Sequence, residues 1–381
     1  MDIDSWYKDN FEKRIHGRYI TLEDVYPILD GYKNIFGITV PGTSEMGADL
    51  PLIKIGNGTK IVLGWSQMHG NESTTTKALF DFFKFISQRK TFQLEIELFL
   101  KTYTFYVFPI LNPDGARLYT RENSNGVDLN RDAQRLSQKE SQCLRKVFDQ
   151  LAPSLCLNLH DQRSIYGFEN GNPATVSFLS PAADQNRTVT SARKETMRQI
   201  VKMDAYLQKY IPLQVGRYDD SFNEACVGDT FQKAGVPTIL FEAGHYKNDY
   251  QREKTRELIF YSLLVLFDII GENHDHLDYK TYFDIPENCK NYNDIILRNA
   301  RVKKGGPIIS VAIQYAEVLQ NGIIDFIPVI EEIGALETKV GHREIDCNGT
   351  VILSESQERL REGLNISRIV NEGDNFTINF Q

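Results

Sequence analysis

The chain has 381 residues, of which 41% are hydrophobic, 11% aromatic and 25% charged, which is the composition of a folded globular protein large enough for more than one domain. Its 43 Lys and Arg residues against 51 Asp and Glu residues give a formal net charge of -8. No basic run suits nucleic acid or an anionic membrane. We therefore expect neither nucleic acid nor a membrane as a partner.

The N-terminus and the cysteines both favour the cytoplasm. Residues 1–6 are acidic and lack the apolar core of a signal peptide. The longest apolar run, residues 258–270, is too short to span a bilayer and contains Asp268. The five cysteines are scattered without a CxxC pair, which fits a reducing compartment and gives no zinc-thiolate site.

Strand and helix patterns alternate along the first 270 residues. Strands are predicted over residues 35–40, 60–65, 102–111, 155–160 and 237–243, and helices over residues 73–88, 136–151, 189–210 and 251–270. Strands separated by helices favour an α/β fold with a largely parallel sheet covered on both faces. Residues 163–186, rich in Gly, Asn, Ser and Pro, are predicted to form a long surface loop.

The pattern changes after residue 276. Short β-rich runs follow, at residues 308–313, 322–328 and 349–353, separated by Gly, Asn and Asp. We therefore predict two domains, a catalytic domain over residues 1–276 and a small β-rich domain over residues 277–381.

The tetrapeptide His69-Gly70-Asn71-Glu72 lies where a predicted strand runs into a predicted helix. A His and a Glu three residues apart can bring an imidazole nitrogen and a carboxylate onto one ion. Zinc sites of the His2Glu type need one further His and keep an open position for water. The motif alone is weak, but it requires a third ligand elsewhere in the chain.

His160 is the best candidate for the third ligand, because it ends the apolar run 155–160. In open α/β sheets, sites form outside the carboxyl ends of the strands. A lone histidine there is more often satisfied by hydrogen bonds at the sheet edge. The presence of His69 and Glu72 reverses that preference.

Two arginines lie between these candidate ligands, in a segment shaped by Pro113 and Gly115. Asn130 and Arg131 offer an amide beside a planar guanidinium, which matches a carboxylate. Arg121 is a second cation that could stabilise an oxyanion. Taken singly, each arginine is more often a solvated surface charge.

Glu242 places a carboxylate near the end of the apolar run 237–243. Such a position costs several kcal/mol unless the group is hydrated, paired or near a cation. A general base beside a metal-activated water would explain it.

These motifs occur in an order that resembles the zinc carboxypeptidase family (peptidase family M14), in its bacterial-type branch, over roughly residues 15–270. The resemblance implies a mixed, largely parallel sheet sandwiched between helices and one Zn2+ per chain held by His69, Glu72 and His160. It also implies that Glu242 is the general base and Arg121 the oxyanion stabiliser. Asn130 and Arg131 would then bind the substrate carboxylate.

Other features are similar to the succinylglutamate desuccinylase and aspartoacylase group. Asn71 stands where animal digestive carboxypeptidases carry an arginine, and a small C-terminal β domain is typical of the deacylases. Asn112-Pro113-Asp114-Gly115 and the Arg121 context favour the carboxypeptidases instead. Both readings stay open for the substrate.

The sequence thus predicts a cytoplasmic zinc metallocarboxypeptidase that hydrolyses an amide bond next to a free carboxylate. The alternative is a zinc-dependent deacylase or amidohydrolase of N-acyl amino acids or cell-wall peptide fragments. In either case the partner is a peptide or acylated amino-acid substrate with a free carboxylate. A binding module without activity is disfavoured, because every proposed catalytic position carries a competent residue.

Overall fold

The computed structural model describes residues 2–89, 91–271, 277–371 and 377–379. The chain divides into two compact units. The first unit contains Met1–Gln162 and Ala174–Asn288, and the second contains Arg163–Pro173 and Cys289–Gln381.

This division differs from the predicted boundary between residues 276 and 277 in two ways. The first unit continues to Asn288, through a 3-10 helix at Tyr279–Asp284 whose Tyr282 is buried and accepts a hydrogen bond from the Ser180 backbone nitrogen. The second unit also takes Arg163–Pro173 from within the predicted catalytic domain. The predicted boundary was placed where the composition changes. The last residue that packs on the core of the first unit lies further along the chain.

Nine helices are found in the described residues. They are α1 (Ile3–Asn10), α2 (Leu22–Tyr32), α3 (Thr74–Gln88), α4 (Gln93–Thr102), α5 (Pro113–Leu118), α6 (Lys139–Leu151), α7 (Ser191–Leu207), α8 (Val227–Lys233) and α9 (Glu253–Leu266). In the part of the chain that the structure describes, no helix has both the length and the apolar character needed to cross a membrane.

The strands of the first unit form one eight-stranded mixed sheet. They are β1 (Gly37–Thr39), β2 (Leu52–Ile55), β3 (Lys60–Ser66), β4 (Tyr103–Phe108), β5 (Leu155–Asp161), β6 (Val176–Leu179), β7 (Val215–Arg217) and β8 (Thr238–Ala243). The spatial order is β1-β2-β4-β3-β5-β8-β6-β7. The four central strands β4, β3, β5 and β8 are parallel. β1 pairs antiparallel with β2, β2 with β4 and β6 with β8, whereas β6 and β7 are parallel.

Helices cover both faces of this sheet. Alternate residues of β5 point to opposite faces, so Leu157 and Leu159 join the core beneath α1, α2, α3, α7 and α9, while Cys156 joins the core beneath α6 and α8. The predicted mixed α/β fold is confirmed. It places His160 and Glu242 at the end of the face that α6 and α8 cover, because their strand neighbours Leu159, Phe241 and Ala243 point into the opposite core.

The prediction of one long surface loop over residues 163–186 is wrong. β6 lies inside it, is almost fully buried, and adds a strand to the sheet beside β8. The short run Val176-Ser177-Phe178-Leu179 is preceded by Gly, Asn and Pro and followed by Pro181 and Asn186. The loop-like composition of the flanking residues therefore led to the loop prediction and hid a strand of four residues.

The second unit is a β structure with its own core. Its strands are β9 (Tyr292–Ala300), β10 (Ile309–Gln320), β11 (Ile323–Gly334), β12 (Val340–Asp346), β13 (Ile352–Ser354), β14 (Arg368–Asn371) and β15 (Thr377–Asn379). They form a four-stranded sheet, β11-β10-β9-β12, and a three-stranded sheet, β13-β14-β15. Ile295, Ile313 and Ile369 belong to one core built from both sheets, so the predicted C-terminal β-rich region is confirmed.

The segment Arg163–Pro173 is held within the second unit by backbone pairing. Gly167 exchanges two backbone hydrogen bonds with Cys289, at 3.0 and 2.9 Å. A Cβ at Gly167 would lie 2.3 Å from the Tyr292 ring, so this close approach requires glycine.

A buried ion pair ties α3 to α9 in the first unit. Arg256 donates two parallel hydrogen bonds of 2.7 Å to Asp81, and both side chains are fully buried. Arg256 also donates to the backbone oxygens of Ile15 and Glu12, at 2.8 and 2.7 Å. The guanidinium thus satisfies groups from the N-terminal segment and two core helices at once.

We expect Arg256→Met to lower the free energy of unfolding by about 3–5 kcal/mol, because it leaves the Asp81 carboxylate buried without its cation. Urea unfolding followed by tryptophan fluorescence measures this, since Trp6 and Trp65 both lie in the first unit. Arg145→Met is the control, because Arg145 and Asp149 form an exposed pair within α6 worth less than about 1 kcal/mol. Equal losses in the two variants would contradict the buried-pair argument.

Candidate metal centre

The ends of the central parallel strands bring the candidate residues together. β3 ends at Ser66, and the segment carrying His69 and Glu72 connects it to α3. β5 ends with His160 and Asp161, and His160 is the register partner of Glu242 on β8. Paired residues of parallel strands point to the same face, so His160 and Glu242 share one side of the sheet.

His69, Glu72 and His160 form a compact ligand set whose donor atoms all lie within 4.8 Å of one another. The Glu72 carboxylate lies between the two imidazoles, with Oε1 2.8 Å from His69 Nδ1 and Oε2 2.8 Å from His160 Nδ1. The two Nδ1 atoms are 3.1 Å apart. The predicted first and third ligands thus meet, although 91 positions separate them in sequence.

This geometry fits a bound cation. A neutral imidazole nitrogen that carries no proton and a carboxylate are both acceptors, so the set has more lone pairs than protons at its centre. Tetrahedral zinc with its usual bond lengths holds two imidazole nitrogens about 3.3 Å apart, close to the separation between the two Nδ1 atoms. The donor set is the His2Glu type that zinc takes in hydrolytic sites.

Asp128 is a member of the site to which sequence reasoning gave no role. Its Oδ1 lies 3.0 Å from His69 Nε2, and a carboxylate can only accept. His69 therefore donates through Nε2 and keeps the lone pair on Nδ1 for a metal. The position of Asp128, two residues before the candidate Asn130, was a sequence signal that it could belong to the site. Only the fold shows that it orients His69.

The ionisation of the ligand set follows from burial and mutual attraction. Burial alone would lower the pKa of His69, but the Glu72 carboxylate and the Asp128 hydrogen bond outweigh it and raise that pKa. Burial would raise the pKa of Glu72, yet the two imidazoles hold it well below its usual range. Burial lowers the pKa of His160. Glu72 is thus an anion that favours any cation bound between the two rings.

Arg121 lies against the ligand set. Its Nη1 is 3.4 Å from Glu72 Oε1, and its Nε donates to Asp128 Oδ2 at 3.1 Å. The side chain is 41% exposed, so the guanidinium faces both the site and solvent.

Glu242 lies close enough to the ligand set to interact with it electrostatically. Burial, followed by the nearby Glu72 and Asp161 carboxylates, raises the pKa of Glu242 well above its usual value. No hydrogen bond to its carboxylate is found among the residues that the structure describes.

Asn130 and Arg131 lie on a 3-10 turn, Leu129–Arg131, beside the start of α8. Asn130 Oδ1 accepts from the Val227 backbone nitrogen at 3.0 Å. Arg131 Nη1 donates to the Asn130 backbone oxygen at 2.8 Å and to Cys226 Sγ at 3.2 Å. Arg131 is exposed, and within the described ranges no carboxylate is at ion-pair distance from it.

The Asn112–Gly115 motif packs against the segment that carries His69 and Glu72. Asn112 caps α5 by accepting from the Gly115 nitrogen at 2.8 Å, and its Nδ2 donates to the Met68 backbone oxygen. A Cβ at Gly70 would lie 2.0 Å from the Gly115 carbonyl carbon. The two glycines therefore let the ligand segment pack directly on the α5 backbone.

Comparison with known protein families finds one similarity that includes this site. The family model described as zinc carboxypeptidase matches residues 27–210, a range that includes His69, Glu72 and His160, whereas Glu242 lies beyond it. Over this range, which is just under half of the chain, the chain is similar to the zinc carboxypeptidase family. No curated protein sequence matches the chain.

Solved structures show the same fold. The metallo-carboxypeptidase from Burkholderia cenocepacia superposes with a TM-score of 0.54 at 13% identity, covering 66% of this chain and 69% of that one. A metallo-carboxypeptidase from Pseudomonas aeruginosa, in complex with (2-guanidinoethylmercapto)succinic acid, gives 0.53 at 17% identity and covers 66% and 70%. Carboxypeptidase A from Helicoverpa armigera gives 0.51 at 16% identity and covers 70% and 78%.

The family and the site define the class. The chain is a zinc metallohydrolase of the metallopeptidase type, as the sequence predicted. The family depends on zinc, and the His69, Glu72 and His160 set is the candidate position for that ion.

Asp229 adds a buried carboxylate to the first turn of α8, near this site. Its side chain is 8% exposed, and Oδ1 accepts from the Asn223 nitrogen at 3.2 Å. Burial raises the pKa of Asp229 to about 6 from its usual 3.8. Between these values the folded state binds more protons than the unfolded state, so stability falls as the pH rises through this window.

We therefore expect Asp229→Asn to raise the free energy of unfolding at pH 8 by about 1–3 kcal/mol, because the amide avoids the cost of a buried charge. The gain should disappear as the pH falls toward 4, where the native carboxyl is already neutral. Urea unfolding of both proteins at pH 4, 6 and 8 measures the difference. A gain that does not depend on pH would contradict burial as the cause.

Proposed function

We propose that the chain is a metallocarboxypeptidase that hydrolyses the amide bond next to a free carboxylate, with one Zn2+ per chain held by His69, Glu72 and His160. The observation that carries the proposal is the convergence of three acceptor groups on one point beside Arg121. We also propose a cytoplasmic location, because the five cysteines are free, which fits a reducing compartment.

Zinc, when bound, would supply a Lewis acid for the substrate carbonyl and lower the pKa of a water molecule. Glu242 would take the proton from that water on its carboxylate and deliver it to the leaving nitrogen. Two features support this role. Glu242 shares a sheet face with its register partner His160, and the raised pKa of its carboxyl makes it a stronger base than an exposed glutamate.

Arg121 would stabilise the oxyanion that develops on the substrate carbonyl. Its guanidinium is held beside the ligand set by Asp128, which contacts Nε and Nη2 and leaves Nη1 on the side of Glu72. A fixed cation at that place needs no rearrangement when the charge develops.

Asn130 and Arg131 would hold the substrate carboxylate. Because Oδ1 of Asn130 is held by the Val227 nitrogen, the Nδ2 amide is the donor that Asn130 can offer. Arg131 is exposed and lacks a carboxylate partner among the described residues, so its fork is available for a bidentate pair.

We expect Glu242→Gln to lower kcat by at least about 100-fold, because the amide cannot accept the proton. The purified variant should still contain one zinc per chain, as measured by elemental analysis. Glu195→Gln, an exposed change on α7, is the matched control and should keep full turnover. Wild-type turnover in the Glu242 variant would reject its role as the general base.

The β structure of the second unit favours a second candidate, because the deacylase group that the sequence resembles carries a small C-terminal β domain. That function would keep the zinc site and the carboxylate clamp but replace the peptide with an N-acyl amino acid or a cell-wall peptide fragment. The two candidates differ only in what lies on the acyl side of the scissile bond.

A substrate panel separates them. We expect hydrolysis of peptides with a free C-terminus and at least about 100-fold lower kcat/KM for the same peptides amidated at the C-terminus, because the amide removes the charge that pairs with Arg131. N-acyl amino acids form the third arm. Activity on N-acyl amino acids alone would reject the peptidase and favour the deacylase.

A further inference from the structure

The proposed ligands come from two segments that are far apart in sequence. His69 and Glu72 lie before α3, and His160 lies at the end of β5. A site that binds an ion tightly must hold these two segments at a fixed separation before the ion arrives. The contacts between the start of α3 and the end of β5 therefore decide how well the site is preorganised.

The N-terminus of α3 lacks the usual cap from its own chain segment. Ser73 occupies the N-cap position but makes no side-chain capping bond. Its hydroxyl donates instead to the Arg18 backbone oxygen, at 2.6 Å. The first backbone N–H groups of α3 must therefore find an acceptor elsewhere.

Asp161 supplies that acceptor from the adjacent strand. Its Oδ2 accepts from the Thr74 backbone nitrogen at 2.9 Å and from the Thr74 hydroxyl at 2.5 Å, and its Oδ1 lies 3.4 Å from the Thr75 nitrogen. A carboxylate at a helix N-terminus is also favoured by the helix dipole. Asp161 thus caps α3 across 87 positions of sequence.

The same residue also contacts the ligand Glu72 directly. The Asp161 backbone nitrogen donates to Glu72 Oε2 at 3.2 Å, the oxygen that also faces His160 Nδ1. Asp161 is the chain neighbour of His160, and Thr74 follows Glu72 by two residues. One buried residue, 7% exposed, therefore links both ligand segments.

We propose that Asp161 is a positioning residue of the metal centre, which sets the separation between His160 and the His69–Glu72 segment. The proposal rests on the proposed zinc role of His69, Glu72 and His160. It assigns Asp161 no contact with zinc or with substrate.

The test measures the zinc dissociation constant of the folded protein by competition with a chromophoric chelator. We expect Asp161→Asn to bind zinc about 10-fold to 100-fold more weakly than the wild type, because the amide replaces one of the two acceptor oxygens with a donor and removes the charge that favours the start of α3. Circular dichroism of the zinc-free protein reports whether the fold is kept.

The Thr74→Val variant separates the effect of the Asp161–Thr74 hydrogen bond from the effect of the Asp161 charge. Asp161→Asn also removes a negative charge near the ion, whereas Thr74→Val removes only the hydroxyl that Asp161 accepts from. We expect Thr74→Val to weaken zinc binding about threefold or more, and Thr74→Ser, which keeps the hydroxyl, to match the wild type. The double variant should bind no more weakly than Asp161→Asn alone, because both changes break one link.

Thr190→Ala is the matched control for stability. Thr190 caps α7 in the same unit by accepting from the Arg193 nitrogen, so its loss should lower the melting temperature and leave zinc binding unchanged. If Asp161→Asn does not fold, the Thr74 pair decides the question. Zinc binding within twofold of wild type in the folded Asp161 or Thr74→Val variant would overturn the proposal. A wild-type protein that binds no zinc would instead overturn the proposed function.

Discussion

The register of the central parallel strands is the constraint on which the site depends. β3, β5 and β8 run in the same direction side by side, so their carboxyl ends meet at one edge of the sheet. His160 pairs with Glu242 at that edge, and the chain leaving β3 brings His69 and Glu72 to the same place. A shift of one residue in β8 would turn Glu242 to the opposite face, into the core beneath α3 and α9.

Bringing these groups together concentrates charge where little water can reach it, and the surrounding residues compensate. Glu72 is anionic between two imidazoles, Asp128 orients one of them, and Arg121 lies against both carboxylates. Burial raises the pKa of Glu242, and the like charges of Glu72 and Asp161 raise it further. A divalent cation at the centre would relieve this repulsion, so an all-acceptor ligand set and the nearby Glu242 carboxyl are both compatible with a bound cation.

The sequence predicted the parts of the site that lie at strand ends, because a polar residue that ends a buried strand is visible in the pattern alone. His160 and Glu242 were proposed that way, whereas His69 and Glu72 were proposed for their spacing after a predicted strand. Asp128 and Asp161 were not given roles, since each acts on a residue far away in sequence, and only the fold shows the partner. The assignment of residues 163–173 to the second unit was missed for the same reason. The backbone of this segment pairs with Cys289, and such pairing leaves no periodic signal in a short segment.

Crystallography with data collected at the zinc absorption edge tests the central claim most directly, because it locates the ion and identifies its ligands in one measurement. The account predicts a single anomalous peak per chain, within bonding distance of His69 Nδ1, His160 Nδ1 and a Glu72 carboxylate oxygen, with Asp128 still bonded to His69 Nε2. A peak elsewhere in the chain, or zinc-soaked crystals without a peak between the two imidazoles, would contradict it.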